Sequence, residues 1–268
     1  MKRLTEISDW RSNYDFEDLQ DKLSKIEVFN DTNTNIRKLW DDVIFPILPK
    51  NGLEKAIEIG SAPGQHLIEL SRRIGVVPFG VEYTVEGVIL NRALFEKNKI
   101  DANNVLHLDF FDPSIEKLYN SFDISFSFGF IEHFDNPTEV IERQLRLCKP
   151  GGYFIIVIPN LQGIYYWWNR IFNHKVIEIH NISLMRDNVF FEIFENLDNS
   201  EVLFAGYVGN FDFGLLTHDG QFLAKVGITV IRRLASFLGF FDRVILAPIG
   251  LGNPVYQVVV GRRTGVQL

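Results

Sequence analysis

The residues best suited to ligand chemistry in this chain are a carboxylate and two glycines that follow it closely. Residues 56–64 read Ala-Ile-Glu-Ile-Gly-Ser-Ala-Pro-Gly, which places Glu58 in a short apolar run and Gly60 and Gly64 just behind it. The apolar run is typical of a buried parallel strand, and the glycines let the chain turn sharply beside a ligand before a helix begins. Glu58 can accept hydrogen bonds from a ribose or an amine, whereas it would repel a pyrophosphate. The segment therefore favours a nucleotide-like ligand that carries positive charge.

Two further carboxylates follow the next two strand-like runs. Glu82 stands about 20 residues beyond the glycine turn, where an acid that accepts both ribose hydroxyls is expected. Asp109 could accept a hydrogen bond from an adenine amino group while the ring of Phe110 packs on the base. Each acid alone is weak evidence, but three in succession behind a glycine turn indicate one shared site. S-adenosylmethionine, a nucleoside with a sulfonium and an amine, matches these charges.

Strand-like and helix-like stretches alternate from about residue 53, which predicts a mainly parallel sheet with helices on both faces. The predicted strands are residues 56–60, 76–82, 104–110, 122–128 and 153–159, with a closing antiparallel pair at 201–208 and 255–262. The predicted helices are residues 65–74, ending at Gly75, 84–98, capped by Thr84, and 137–148, beginning with Pro137. Ligands of such sheets lie beyond the carboxyl ends of the strands. The three acids are therefore expected to meet at that edge.

Five motifs follow one another along the chain: Glu58-Ile-Gly-Ser-Ala-Pro-Gly64, Glu82, Asp109, Phe122-Asp-Ile-Ser-Phe-Ser-Phe-Gly-Phe-Ile-Glu-His133 and Lys149-Pro-Gly-Gly152. This order resembles class I S-adenosylmethionine-dependent methyltransferases, and most closely the small-molecule group that resembles the ubiquinone-biosynthesis, or type 11, methyltransferases. The resemblance implies a Rossmann-like seven-stranded, mainly parallel sheet with helices on both faces and an antiparallel last strand. The loop departs from the family at Ser61-Ala62-Pro63, where Cys-Gly-x is frequent, but this stiffer loop is compatible with cofactor binding.

The same resemblance implies a role for each motif. The glycine loop would run beside the methionine part of S-adenosylmethionine, the acid after the second strand would bind ribose, and the acid after the third would bind adenine. The predicted cofactor is therefore S-adenosylmethionine, with S-adenosylhomocysteine as product. The predicted cofactor contacts are Glu58, Gly60, Ser61, Ala62, Gly64, Gln65, Glu82, Tyr83, Asp109, Phe110, Phe128 and Gly129.

Glu132 and His133 follow the fourth predicted strand, where the methyl group would be delivered. His133 could act as a general base on a hydroxyl or amine acceptor, and the two residues are the predicted catalytic pair. Alternatively, the two residues only hydrogen-bond the loop or the cofactor backbone, and alignment of donor and acceptor supplies most of the rate. Glu132, His133 and Asp135 are poorly spaced for metal ligands within a loop, so no metal is predicted.

The predicted core covers residues 46–160 within a single structural domain. Three further parts complete this domain: an N-terminal helical cap (1–45), an aromatic cap insertion (161–200), and closing strands with a connecting helical segment (201–268).

The predicted acceptor contacts are Tyr165, Tyr166 and Trp168, which lie in an aromatic run behind the fifth strand. Rings with polar edges suit an acceptor pocket. The other interpretation is that these rings pack the cap against the sheet.

Net charge and composition limit the classes of partner and the cellular compartment that we expect for this chain. The formal net charge of −7 speaks against a nucleic-acid partner, and the single cysteine fits a reducing compartment, so a cytoplasmic location is predicted. Residues 221–241 are apolar at helical spacing with Arg232 and Arg233 near the end. Whether this helix contacts a membrane, a partner or the core stays open, although no integral membrane segment is expected. The oligomeric state also stays open, with a homodimer as one option.

The predicted reaction is methyl transfer from S-adenosylmethionine to a hydroxyl, or an amine, of a small-molecule acceptor such as a sugar or a specialised metabolite. A catalytically silent protein that binds S-adenosylmethionine or serves as a scaffold is the main alternative. A nucleotide-dependent oxidoreductase is less favoured, because Gly60 and Gly64 lack the middle glycine that brings a pyrophosphate close to the backbone.

Overall fold

A seven-stranded sheet lies at the centre of the chain. The structure is a computed structural model that describes residues 1–11, 34–218, 220, 222–238 and 254–265. The strands are β1 (Lys55–Ile59), β2 (Val77–Glu82), β3 (Val105–His107), β4 (Phe122–Phe128), β5 (Cys148–Pro159), β6 (Ser200–Val208) and β7 (Tyr256–Arg263). Their order is β3-β2-β1-β4-β5-β7-β6; β1 to β5 run parallel, and β7 runs antiparallel to both of its neighbours. The predicted fold class is confirmed.

Helices connect the strands and cover the sheet. The α-helices are α1 (Ile7–Arg11), α2 (Thr34–Lys38), α3 (Phe45–Ile47), α4 (Gln65–Ile74), α5 (Val85–Lys97), α6 (Pro137–Leu147), α7 (Ile164–Phe172), α8 (His174–Glu178), α9 (Val189–Glu195) and α10 (Phe222–Leu238). A π-helical stretch (Leu39–Ile44) joins α2 to α3, and 3-10 turns lie at Ala102–Asn104, Pro113–Leu118, Ile131–His133 and Phe213–Leu215. Within the described residues, no helix is long and apolar enough to span a bilayer. The side chains of Arg232 and Arg233 lie outside the described part.

Local signals set the bounds of the helices beside the glycine loop. Gly64 and Gly75 both have positive φ, at 96° and 77°, and they delimit α4 as predicted. Thr84 caps α5, because its hydroxyl accepts a hydrogen bond from the Gly87 N–H at 3.1 Å. β3 ends earlier than predicted, since Asp109 turns the chain by accepting the N–H of Phe111 at 3.0 Å.

Two buried apolar layers flank the sheet. Ile57 and Ile59 of β1 face the layer that contains α6 and α7, and Ala56 faces the layer that contains α4 and α5. The stretch from α2 to α3 buries Leu39, Trp40 and Ile44 in this second layer, against the sheet. The predicted division of the chain into core, caps and closing strands stays a prediction.

Candidate active site

A cavity of about 130 Å³ lies at the carboxyl ends of β1 to β4, where the sequence predicts the cofactor. Eight of the predicted contacts line it: Gly60, Ala62, Glu82, Tyr83, Asp109, Phe110, Phe128 and Gly129. The topology brings them together, because β1 lies between β2 and β4 and β2 lies beside β3. Arg3, Thr5 and Trp10 of the N-terminal segment close the cavity from outside.

Glu82 ends β2 and is held in one orientation. Its side chain is buried, and its Oε1 accepts hydrogen bonds from the Thr84 N–H at 2.8 Å and from the Thr84 hydroxyl at 2.6 Å. Burial raises the pKa of the Glu82 carboxyl, while the hydrogen bonds from Thr84 oppose that shift. A carboxylate fixed in this way can accept the two hydroxyls of a ribose without a large loss of side-chain entropy.

Asp109 forms an ion pair that the sequence did not reveal. Arg3 Nη2 donates to both carboxylate oxygens of Asp109, at 2.8 and 3.0 Å, and its guanidinium carbon lies 4.8 Å from the ring centre of Tyr83. The N-terminal segment is anchored there because the Leu4 N–H donates to the carbonyl of His133 at 2.8 Å. Arg3 therefore already binds the carboxylate that the sequence predicts to accept the adenine amino group.

Four predicted contacts do not line the cavity: Glu58, Ser61, Gly64 and Gln65. Glu58 lies on the opposite face of β1 from Ile59, and the Ser61 hydroxyl accepts a hydrogen bond from Asn91 Nδ2 at 2.6 Å. Gly64 packs against Asn91, and Gln65 begins α4. The role of these four residues as cofactor contacts stays a prediction.

We expect the replacement of Glu58 by glutamine to stabilise the protein increasingly as the pH rises. Burial, and then the neighbouring charge of Glu82, raise the pKa of Glu58 well above its usual range. The folded chain thus keeps a proton that the unfolded chain loses above about pH 4.5, so wild-type stability falls as the pH rises through this window. Thermal unfolding between about pH 5 and 8 measures the difference in stability between Glu58→Gln and the wild type. Glu96→Gln, on the exposed side of α5, is the control. A pH-independent difference for Glu58→Gln would contradict this account.

A second cavity, of about 570 Å³, adjoins the first. Trp10, Phe128, Gly129 and His133 line both cavities, so these four residues form the boundary between them. The second cavity is further lined by Asp9, Ile36, His66, Glu132, Val157, Ile158, Pro159, Asn173, Lys175, Val176, Ile179, His180, Thr217 and Tyr256. Rings dominate one side: His66 stacks on Phe128 with ring centres 4.0 Å apart.

His133 of the predicted catalytic pair lies at this boundary, whereas Glu132 lines only the second cavity. His133 Nδ1 donates to the carbonyl of Ile179 at 2.7 Å, because a carbonyl can only accept, and Nε2 is therefore the unprotonated nitrogen. Burial, reinforced by His180, lowers the pKa of His133 to about 3, and burial raises the pKa of Glu132 to about 8. An imidazole with such a pKa can accept a hydrogen bond but is a weak general base. The catalytic role of the pair stays a prediction.

The predicted acceptor contacts, Tyr165, Tyr166 and Trp168, line neither cavity. Tyr165 and Trp168 are buried in the core: the Tyr165 hydroxyl accepts the N–H of Asp212 at 2.7 Å, and Trp168 Nε1 donates to the carbonyl of Thr217 at 2.8 Å. Tyr166 lies at the surface, where Arg170 Nη1 donates to its hydroxyl at 2.9 Å. The helical period of α7 turns Tyr165 and Trp168 inward together, which favours the packing interpretation for these two rings. The acceptor role of the three residues stays a prediction.

Residues 32–197 match a family described as a methyltransferase domain, which covers more than half of the chain. The chain belongs to this family. Membership confirms the predicted resemblance to class I S-adenosylmethionine-dependent methyltransferases, and with it the predicted enzyme class and the predicted cofactor.

The sequence similarity to an individual relative is low. The mitochondrial ubiquinone biosynthesis O-methyltransferase of Dictyostelium discoideum is 28% identical over 120 residues, which cover 42% of this chain and 37% of that protein. The match thus spans little more than a third of the relative's length.

Solved structures of other methyltransferases share the fold. An S-adenosylmethionine-dependent methyltransferase from Archaeoglobus fulgidus has a TM-score of 0.52 at 16% identity, over 93% of this chain and 100% of that one. A geranyl diphosphate C-methyltransferase from Streptomyces coelicolor, in complex with Mg²⁺, geranyl diphosphate and S-adenosyl-L-homocysteine, has a TM-score of 0.56 at 13% identity, over 85% of this chain and 78% of that one.

Proposed function

We propose that this chain transfers the methyl group of S-adenosylmethionine to a hydroxyl, or an amine, of a small-molecule acceptor. The observation that carries the proposal is the pair of adjoining cavities, one beside the acids of β2 and β3 and the other beyond Phe128, Gly129 and His133. In the transfer, the acceptor oxygen forms a bond to the methyl carbon while the carbon–sulfur bond breaks. The sulfonium becomes the thioether of S-adenosylhomocysteine, and the hydroxyl proton passes to solvent or to a nearby base.

The lining of the first cavity offers groups for the adenine, the ribose and the methionine part of the cofactor. Glu82 would bind the ribose hydroxyls, and Asp109 with Phe110 would bind the adenine once Arg3 has released the carboxylate. Gly60 has a φ of 69°, and a methyl group in place of its hydrogen would lie 3.3 Å from the Phe130 ring, so this turn favours glycine. The methionine part would lie beside it.

The second cavity suits an acceptor that is partly planar and apolar and carries polar groups. Trp10, His66 and Phe128 offer ring surfaces, and Lys175 forms an ion pair with Asp9 at the same cavity. Tyr256 and Thr217 complete a lining that mixes rings with hydroxyls. Such a lining favours a small molecule over a nucleic acid, in keeping with the net charge of −7.

Ligand-induced thermal stabilisation tests the cofactor first. At about 100 times its Kd, S-adenosylhomocysteine should add roughly 2.7 kcal/mol to the free energy of unfolding, which raises the midpoint by about 5–10 °C. NAD at the same concentration should have no effect. Methyl-labelled S-adenosylmethionine, incubated with a panel of phenols, sugars and amines, then reports transfer as a labelled product of higher mass. Stabilisation by NAD alone would overturn the proposal, and S-adenosylhomocysteine binding without transfer to any panel member would favour a silent binding protein.

A further inference from the structure

Three potential metal ligands converge on one wall of the second cavity. Glu132 and His133 belong to the 3-10 turn after β4, and His180 lies just beyond α8. One donor atom from each residue lies within 4.8 Å of the others, and the ring centres of His133 and His180 are 4.4 Å apart. The sequence separates His180 from the other two, so their proximity is a product of the fold.

Both histidines are oriented as metal ligands usually are. Nδ1 of His133 donates to the carbonyl of Ile179 at 2.7 Å, and Nδ1 of His180 donates to the carbonyl of Val176 at 2.6 Å. Since carbonyl oxygens only accept, both rings carry their proton on Nδ1 and leave the Nε2 lone pair available. Imidazoles held by a backbone carbonyl at one nitrogen are typical of metal sites, where the other nitrogen binds the ion.

Glu132 supplies a second, independent observation. Its side chain is fully buried, and neither carboxylate oxygen has a hydrogen-bond partner among the residues that the structure describes. The nearest ring nitrogen, His133 Nε2, lies 3.9 Å from Oε1, which is too far for a hydrogen bond. A buried carboxyl group without a partner is costly, and a cation beside the two bare imidazole nitrogens would displace its proton and pair with the carboxylate.

We propose that Glu132, His133 and His180 bind a first-row divalent cation in the wall of the second cavity. Two imidazole nitrogens and one carboxylate favour Zn²⁺, Mn²⁺, Fe²⁺ or Co²⁺ over Mg²⁺. Bonds of about 2.1 Å would place the donor atoms about 3.4 Å apart, so small side-chain rotations draw the three groups together. This site replaces the expectation of no metal, which considered only the neighbours of Glu132 along the chain.

Three protein ligands leave coordination positions open toward the cavity. If the proposed function holds, an acceptor hydroxyl would occupy one of them, and the cation would lower its pKa so that its proton leaves for solvent and its oxygen takes the methyl group. This part rests on the proposed function, whereas binding of the cation does not. The cation would also activate the acceptor hydroxyl, which His133 alone does poorly because it is a weak general base.

Cobalt binding tests the site directly. The full chain without a histidine tag is stripped with EDTA, dialysed, and titrated with Co²⁺ while visible absorption and bound metal per chain are measured. We expect one Co²⁺ per chain, displaced more readily by Zn²⁺ than by Mg²⁺. Glu132→Gln and His180→Asn should each weaken binding at least tenfold. His174→Asn, at an exposed histidine of α8, is the matched control and should bind as the wild type does.

The outcomes separate the site from the reaction. Absence of stoichiometric Co²⁺ and Zn²⁺ binding to the wild type would overturn the metal site, as would unchanged Co²⁺ affinity in Glu132→Gln. Circular dichroism checks folding, and if His180→Asn does not fold, Glu132→Gln decides alone. S-adenosylhomocysteine affinity, measured on the same samples, should survive in Glu132→Gln. A wild type that binds Co²⁺ but no S-adenosylhomocysteine would overturn the proposed function and leave the metal site standing.

Discussion

Replacing Glu82 by alanine should weaken the binding of S-adenosylhomocysteine by about 10- to 100-fold. The carboxylate is buried at the end of β2, lines the first cavity and is oriented by two hydrogen bonds from Thr84. A net loss of about 1.5–3 kcal/mol, typical of removing a charged hydrogen-bonding group, accounts for a change of this size. Titration calorimetry with S-adenosylhomocysteine measures the affinity directly.

Two companion variants show whether the charge or the shape matters. Glu82→Gln keeps the volume and one acceptor oxygen, so its loss of affinity should fall between those of wild type and Glu82→Ala. Glu96→Ala removes an exposed carboxylate from α5, the helix that follows Glu82, and should leave the affinity unchanged. If Glu82→Ala binds like the wild type while remaining folded, Glu82 has no place in the cofactor site.

The sheet and the cofactor side of the site are predictable because their signals are local. An apolar run before a glycine turn marks β1, two glycines of positive φ delimit α4, and a threonine caps α5. Parallel topology then brings the ends of neighbouring strands to one edge. Glu82 and Asp109 therefore reach the same cavity although each signal covers only a few residues.

The acceptor side is less predictable because it depends on contacts between distant segments. His180 reaches Glu132 because the adjacent Asn181 docks on the turn after β4: its N–H donates to the carbonyl of Glu132 at 2.6 Å, and its side-chain amide donates to the carbonyl of Phe134 at 3.0 Å. Arg3 reaches Asp109 in a similar way, through the pairing of Arg3 with Phe134. No spacing in the sequence encodes these approaches.

The aromatic run of α7 shows a different limit. Rings at helical spacing bury one face of a helix, and the sequence does not say whether that face meets a ligand or the core. In the fold, Tyr165 stacks on Phe211 with ring centres 5.0 Å apart, and both belong to the apolar layer beside the sheet. The rings that line the second cavity instead include Trp10, His66 and Tyr256, each from a different part of the chain.

Replacing Gly64 by alanine should destabilise the protein by about 3 kcal/mol or more. Gly64 has a φ of 96°, which costs an alanine about 1–2 kcal/mol. Its added methyl carbon would also lie 2.3 Å from Asn91 Oδ1 and 3.0 Å from Phe95 Cε1. Both neighbouring side chains are fully buried, and Asn91 Nδ2 donates a hydrogen bond to the Ser61 hydroxyl, so neither side chain moves freely. Urea denaturation measures the loss, which is larger than that of most single substitutions.

Gly75, at the other end of α4, separates the backbone cost from the clash. Its φ is 77°, and an added methyl carbon would meet no atom within 4 Å, so Gly75→Ala should lose only about 1–2 kcal/mol. If steric conflict with Asn91 explains the difference, Gly64→Ala should cost less in an Asn91→Ala background than in the wild type. Because Gly60 and Ala62 line the cavity, a displaced loop should also lower the S-adenosylhomocysteine affinity of Gly64→Ala, but not that of Gly75→Ala. Equal losses of stability in the two glycine variants would show that the loop does not depend on close packing beneath Gly64.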